Sequence, residues 1–143
     1  MVQNPSNEVR RELLETSKTI AVVGLSNKPD RTSYMIADAM QHAGYRIIPV
    51  NPVIAGESVL GEKVVASLAD IDEPVDIVDV FRKSEDVVSV AEDTKKMKHK
   101  PKAFWMQQGI SNDEAAALMS GEGIAVVNDL CIKVDHALLR VGK

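Results

Sequence analysis

Thr19-Ile20-Ala21-Val22-Val23-Gly24-Leu25-Ser26-Asn27-Lys28-Pro29-Asp30-Arg31-Thr32-Ser33 is the stretch whose reading decides the fold. It opens as a short apolar run, breaks at a glycine and continues as a polar loop with two cations, Lys28 and Arg31. A short apolar run bounded by a turn signal suits a strand buried on both faces. From Ser33 to Ala43, the residues Ile36, Ala39, Met40 and Ala43 recur at helical spacing, and Gly44 fits the C-terminal stop. Strand, loop and helix in that order place the loop at the carboxyl end of a strand. In open parallel sheets ligands bind there, and the following helix aims its free N–H groups at them.

Working outward, the same alternation repeats. Upstream, Ser6 to Ser17 reads as a helix capped by Ser6, with Val9, Leu13 and Leu14 on one face. Downstream, Tyr45 to Val50 reads as strand two, closed by Asn51-Pro52 because proline cannot continue a ladder. Val53 to Leu68 is irregular, with Gly56 and Gly61 as breakers and room for a short strand near Val64. Asp70 to Pro74 is a turn, and Val75 to Phe81 is strand three. Ser84 to Lys98 reads as a helix, acidic at its start and basic at its end, which suits the helix dipole. Ala103 to Gln107 is strand four. Ser111-Asn112-Asp113-Glu114 has the form of a capping box for the next helix, which stops at Gly121 or Gly123. Ile124 to Val127 is strand five, and a last helix begins near Val134. Strands joined by helical crossovers give an α/β fold: an open, doubly wound parallel sheet of about five strands, Rossmann-like, in one domain.

Composition narrows the function. The chain has 143 residues, 45% of them hydrophobic but only 3% aromatic, so its core must be aliphatic. A net charge of −4 argues against a general nucleic-acid binder, which would carry a basic face. The single cysteine, Cys131, rules out an internal disulfide and fits a reducing, cytoplasmic setting. No apolar run approaches the ~18 residues needed to span a membrane, and the polar first residues lack a secretory signal. His42, His99 and His136 show no metal-ligand spacing.

The first loop offers chemistry. Gly24 allows a sharp turn and close approach of a ligand. Ser26, Asn27, Thr32 and Ser33 offer side-chain donors, while Lys28 and Arg31 offer positive charge. Together they read as a pyrophosphate cradle; an ordinary strand-to-helix loop with surface charges is the other reading. The dinucleotide fingerprint is absent, since its second glycine is Ser26 and its ribose-binding acid is replaced by Val50-Asn51. A phosphate-accepting receiver domain is also set aside. Asp79 sits near the end of strand three, but no acidic pair follows strand one. Phe81, Arg82 and Lys83 end strand three on the ligand rim, where a ring could meet a base and a cation a phosphate. Trp105, Gln107 and Gly109 end strand four, Trp105 being by default a core residue. Cys131 follows strand five, as a buried inert thiol or as a rim residue.

These segments together resemble a known family. They are Ile20 to Ser26 with Lys28-Pro29-Asp30-Arg31 and Ser33-Tyr34, Gly44 to Pro52, Val75 to Arg82, Trp105 to Gly109, and Cys131 to His136. In this order and spacing the chain resembles the small bacterial and archaeal CoA-binding proteins. Those are stand-alone relatives of the CoA-binding domain in the alpha subunit of succinyl-CoA synthetase. The resemblance implies strand order 3-2-1-4-5 and a nucleotide lying over the strand-one loop. Gly24, Leu25, Ser26, Asn27, Lys28, Arg31 and Ser33 would then surround the diphosphate. Asn51, Pro52, Phe81 and Arg82 would flank the adenosine, while Trp105, Gln107, Gly109 and Cys131 would lie towards the pantetheine arm or close the rim. Two positions depart from the family: Val53 replaces a cation that would suit the 3′-phosphate, and Leu130 replaces an arginine before the cysteine.

The expectation is therefore a cytoplasmic binding module for CoA or an acyl-CoA, monomeric or homodimeric, rather than an enzyme. It uses no metal, nucleic acid or membrane. A nucleotide-linked enzyme or redox sensor using NAD(P) is the alternative. A thiol switch, in which Cys131 forms a mixed disulfide with CoA, is a third reading.

Overall fold

The computed structural model describes residues 3–142. Helix α1 (Asn7–Thr16) starts where Ser6 accepts a hydrogen bond from the Val9 N–H, as a capping serine should. Strand β1 (Thr19–Val23) follows, then helix α2 (Thr32–His42) and strand β2 (Arg46–Val50). The irregular stretch holds a small antiparallel hairpin, β3 (Ser58–Val59) with β4 (Glu62–Lys63), and then a short 3-10 turn at Leu68–Asp70. Strand β5 (Ile77–Val80), helix α3 (Val87–Lys95), strand β6 (Ala103–Met106), helix α4 (Asp113–Gly121), strand β7 (Ala125–Val127) and helix α5 (Ile132–Leu138) complete the alternation.

The five longer strands form one parallel sheet in the order β2-β1-β5-β6-β7. Side chains alternate between its faces, and each face seals its own core. Val23, Val78 and Phe104 meet α3 and α4 on one side. Val22, Ile77 and Trp105 meet α1, α2 and α5 on the other. The open, doubly wound α/β sheet is thus as expected from the sequence.

Four local expectations are corrected. Counted over the five predicted strands, the order is 2-1-3-4-5, not 3-2-1-4-5, because Ile77–Val80 lies against β1 instead of outside β2. The place outside β2 holds only a single parallel bridge, Val50 to Val65. Pro49 explains why it goes no further. Its carbonyl accepts from the Val65 N–H on that edge (3.0 Å), so its nitrogen, which has no hydrogen to donate, faces the same edge. Second, the cap of α4 is Asn112, not Ser111: the Asn112 Oδ1 accepts from the Ala115 N–H at 2.9 Å. Ser111 is used elsewhere, its N–H donating to Ser84 Oγ. Third, the predicted Ser84–Lys98 helix opens with a 3-10 turn, and fourth, the last helix begins at Ile132, two residues before Val134.

The path of the chain decides where a ligand fits. From β1 it leaves through α2 to β2 on one flank, and from β5 it leaves through α3 to β6 on the other. The two crossovers cover opposite faces, so the loops after β1 and β5 diverge beyond their first residues. A crevice opens between them at the carboxyl edge, the topological switch point of the sheet.

Candidate functional site

Gly24 makes the first turn of the site. Its φ is +86°, a region open to glycine, and its N–H donates to the Val50 carbonyl at 2.8 Å. A Cβ placed here would lie 2.2 Å from the Phe81 carbonyl oxygen. The two switch-point loops therefore touch at Gly24, and no larger residue fits between them.

The loop beyond is braced from within. Ser33 Oγ accepts from the Ser26 N–H at 3.0 Å, and Ser26 Oγ accepts from the Lys28 N–H at 3.0 Å. Leu25 is not a ligand-facing side chain: it is fully buried and anchors the loop in the core. Asn51 is committed to the loops as well. Its Nδ2 donates to the Leu25 carbonyl at 3.1 Å, and its Oδ1 accepts from the Val53 N–H at 3.0 Å. Asn27 points away to Glu57 (3.0 Å).

Helix α2 begins at this loop without a side-chain cap, Arg31 occupying the cap position. The N–H groups of Thr32 and Ser33 find no acceptor among the described residues. An uncapped helix N-terminus concentrates partial positive charge. It opens onto a cleft of about 370 Å³ that also takes in Arg31, Arg82 and Lys83. Among the described residues, none forms an ion pair with any of these three cations. Three cations and free N–H donors around one hollow can share the charge of an anion.

Two further clefts adjoin it. One runs over Pro52, Leu68 and Val90 and shares Arg82 with the anion cleft. The other, about 390 Å³, is lined by Ile36, Gln107, Gly109 and Cys131 and shares Thr32, Phe81 and Ile110 with the anion cleft. Gln107 is almost wholly buried, and its Oε1 accepts from the Ile132 N–H at 3.0 Å, the first donor of α5. Gly109, at φ +85°, donates its N–H to Asp129 Oδ1 at 2.6 Å, which ties the ends of β6 and β7 together. Cys131 is half-buried and stands at the α5 cap position.

Most of the expected residues thus gather at one rim: Gly24, Ser26, Arg31, Ser33, Phe81 and Arg82 on the anion cleft, Pro52 on its neighbour, and Gln107, Gly109 and Cys131 on the apolar one. Lys28 lines none of these clefts. Trp105 is a correction. It is fully buried in the sheet core, and its indole N–H donates to the Leu130 carbonyl at 2.8 Å, steadying the segment that carries Cys131. Ile110 was missed by sequence reasoning. Gln107 and Gly109 beside it were legible, but an isoleucine carries no signal of its own; its N–H donates to the Gln107 carbonyl at 2.8 Å in the turn after β6, and the residue lines both clefts.

Asp79 stands apart from the rim. It lies between Val22 and Trp105 in the middle of the sheet, buried, with Oδ1 lacking a hydrogen-bond partner. Desolvation pushes its carboxyl well above the usual carboxylate range. Among the described residues no cluster of His, Cys, Asp or Glu could hold a metal, and no helix is long and apolar enough to cross a membrane.

With this geometry in view, comparison with known proteins gives consistent results. The profile of a family described as CoA binding domain matches residues 18–137. The Bacillus subtilis protein YneT, described as uncharacterized, is 52% identical over 139 residues, covering 97% of this chain and all of that one. A solved Thermus thermophilus structure, ID.343, is 37% identical with a TM-score of 0.88, covering 94% of this chain and 99% of that one. A hypothetical protein from Pyrococcus horikoshii OT3 is 31% identical with a TM-score of 0.88 and 98% coverage of both chains. A dinucleotide-forming acetyl-coenzyme A synthetase from Ca. Korarchaeum cryptofilum shares the fold over 85% of this chain and 27% of its own, at 23% identity and a TM-score of 0.66. The chain belongs to the CoA binding domain family.

Proposed function

We propose that this protein is a CoA-binding module that holds CoA or an acyl-CoA across the three joined clefts. The observation that carries the reading is the uncapped N-terminus of α2 facing the unpaired Arg31, Arg82 and Lys83 beside Gly24. The diphosphate lies in this hollow, where helix N–H groups and guanidinium groups share its charge. The adenosine lies over Pro52 and Leu68, and Arg82 stands between the two parts of the nucleotide. The pantetheine arm runs past Phe81 into the cleft of Gln107 and Cys131.

The 3′-phosphate has a weaker claim on the chain. Val53, which stands where the resemblance expects a cation, is 87% exposed, and Arg82 is the cation that lines the adenosine cleft. NAD fits less well. The ribose of a dinucleotide wants a carboxylate at the end of β2, and both ends of the Asn51 amide there are already bonded.

Two substitutions test the reading. Arg31→Ala and Arg82→Ala should each weaken CoA binding roughly ten- to hundredfold, the worth of a charge-assisted hydrogen bond. Unchanged CoA affinity in both variants, read by calorimetry, would remove the diphosphate from this hollow.

A further inference from the structure

Gln107 is a polar side chain that its own surroundings leave half-satisfied. It is 3% exposed, in the apolar cleft beyond Phe81. Its Oε1 is fixed by the Ile132 N–H at 3.0 Å. An amide whose oxygen is held by a backbone donor has only one orientation left, with Nε2 on the other side. That nitrogen carries two donor hydrogens; no hydrogen bond among the described residues uses it, and it is not one of the fully enclosed unpartnered atoms, so it keeps some open surface. Its residue lines the cleft, so that open surface faces whatever enters. A donor presented at the wall of a hollow by an otherwise buried side chain exchanges water for a ligand acceptor with a net gain of one hydrogen bond.

The rest of the cleft says which acceptor. Ile36, Phe81, Ile110 and the Cys131 thiol offer apolar or weakly polar surface, Thr32 and Gln108 add a hydroxyl and a second neutral amide, and no cation lines it. A carboxylate or phosphate would find no counter-charge here. A neutral carbonyl flanked by a small apolar group would satisfy the amide and bury its methyl or methylene against the walls. The cleft adjoins the anion hollow through Thr32, Phe81 and Ile110, so both can hold parts of one extended molecule.

We propose that Gln107 is a specificity-determining residue for the acyl end of the ligand, its Nε2 donating to the thioester carbonyl of a short-chain acyl-CoA. This rests on the CoA reading above and adds that the thioester is preferred over a ligand without its carbonyl.

The test compares acetyl-CoA with S-ethyl-CoA, a thioether of the same length that lacks the carbonyl. ADP serves as a control for the nucleotide half. The natural protein should bind acetyl-CoA about fivefold more tightly than S-ethyl-CoA, the worth of one neutral hydrogen bond. Gln107→Glu keeps an oxygen for the Ile132 N–H and replaces the donor with an acceptor, so α5 stays anchored. That variant should lose the preference while binding ADP as before. Gln107→Met should lose it too, without introducing a charge. Equal binding of the two ligands by the natural protein, or a preference that survives in both variants, would overturn the proposal. Failure of the natural protein to bind any of the CoA compounds would instead overturn the CoA reading itself.

Discussion

Asp79 is a carboxyl group placed where a charge has no partner. The sequence showed an acid near the end of a strand, but not that its neighbours in the sheet would be Val22 and Trp105, which is a property of strand pairing. Because burial raises its pKa, the folded chain keeps the proton at pH values where the unfolded chain has released it. The associated stability is complete below the unfolded value near ~4 and declines as pH rises towards the folded one. Asp79→Asn cannot titrate. It should be more stable than the natural protein at about pH 8 and should match it near about pH 4. Urea unfolding at the two pH values checks this, and parallel pH profiles would contradict it. Gly24 makes the opposite point, since its role was legible from the sequence as a turn residue. The structure adds the Phe81 carbonyl 2.2 Å from where a Cβ would stand. Gly24→Ala should cost at least about 2 kcal/mol, from the positive φ and the displaced loop together. A stability within error of the natural protein would show that the two loops can part freely.

At the scale of elements, the strand-loop-helix unit from Thr19 to His42 was legible because apolar run, glycine and helical spacing agree. What the sequence could not give is which loop cations turn inward. Lys28 and Arg31 look equivalent in the chain, yet Arg31 sits at the α2 cap and lines the cleft, while Lys28 does not. Lys28→Ala should therefore change CoA affinity by less than about twofold, in contrast to Arg31→Ala. A large loss on Lys28→Ala, measured in the same titration, would mean that the loop closes over the ligand in another shape. Trp105 was drawn to the site by its position at a strand end. Alternation places its ring in the core instead, and only its indole N–H serves the rim, through Leu130. Trp105→Phe should lose that bond and leave a cavity where the second ring stood, destabilising the protein by about 2–3 kcal/mol. An unchanged unfolding midpoint would show that the Leu130 segment holds itself.

At the scale of the whole molecule, the alternation of elements foretold the open sheet, and the strand order needed the structure. The difference turns on Pro49, whose missing N–H limits the outer edge of β2 to the Val65 bridge, and on β5 returning to the other side of β1. That return creates the switch point, and with it the meeting of the Gly24 loop and the Phe81-Arg82-Lys83 loop. The central claim, that this meeting holds the diphosphate of CoA, is tested most directly by calorimetric titration of the protein with CoA, dephospho-CoA, NAD and ADP. CoA should bind saturably and NAD much more weakly. Dephospho-CoA should fall within about fivefold of CoA, because Val53 leaves the 3′-phosphate at most one exposed ion pair. No binding of CoA, or tighter binding of NAD than of CoA, would contradict it.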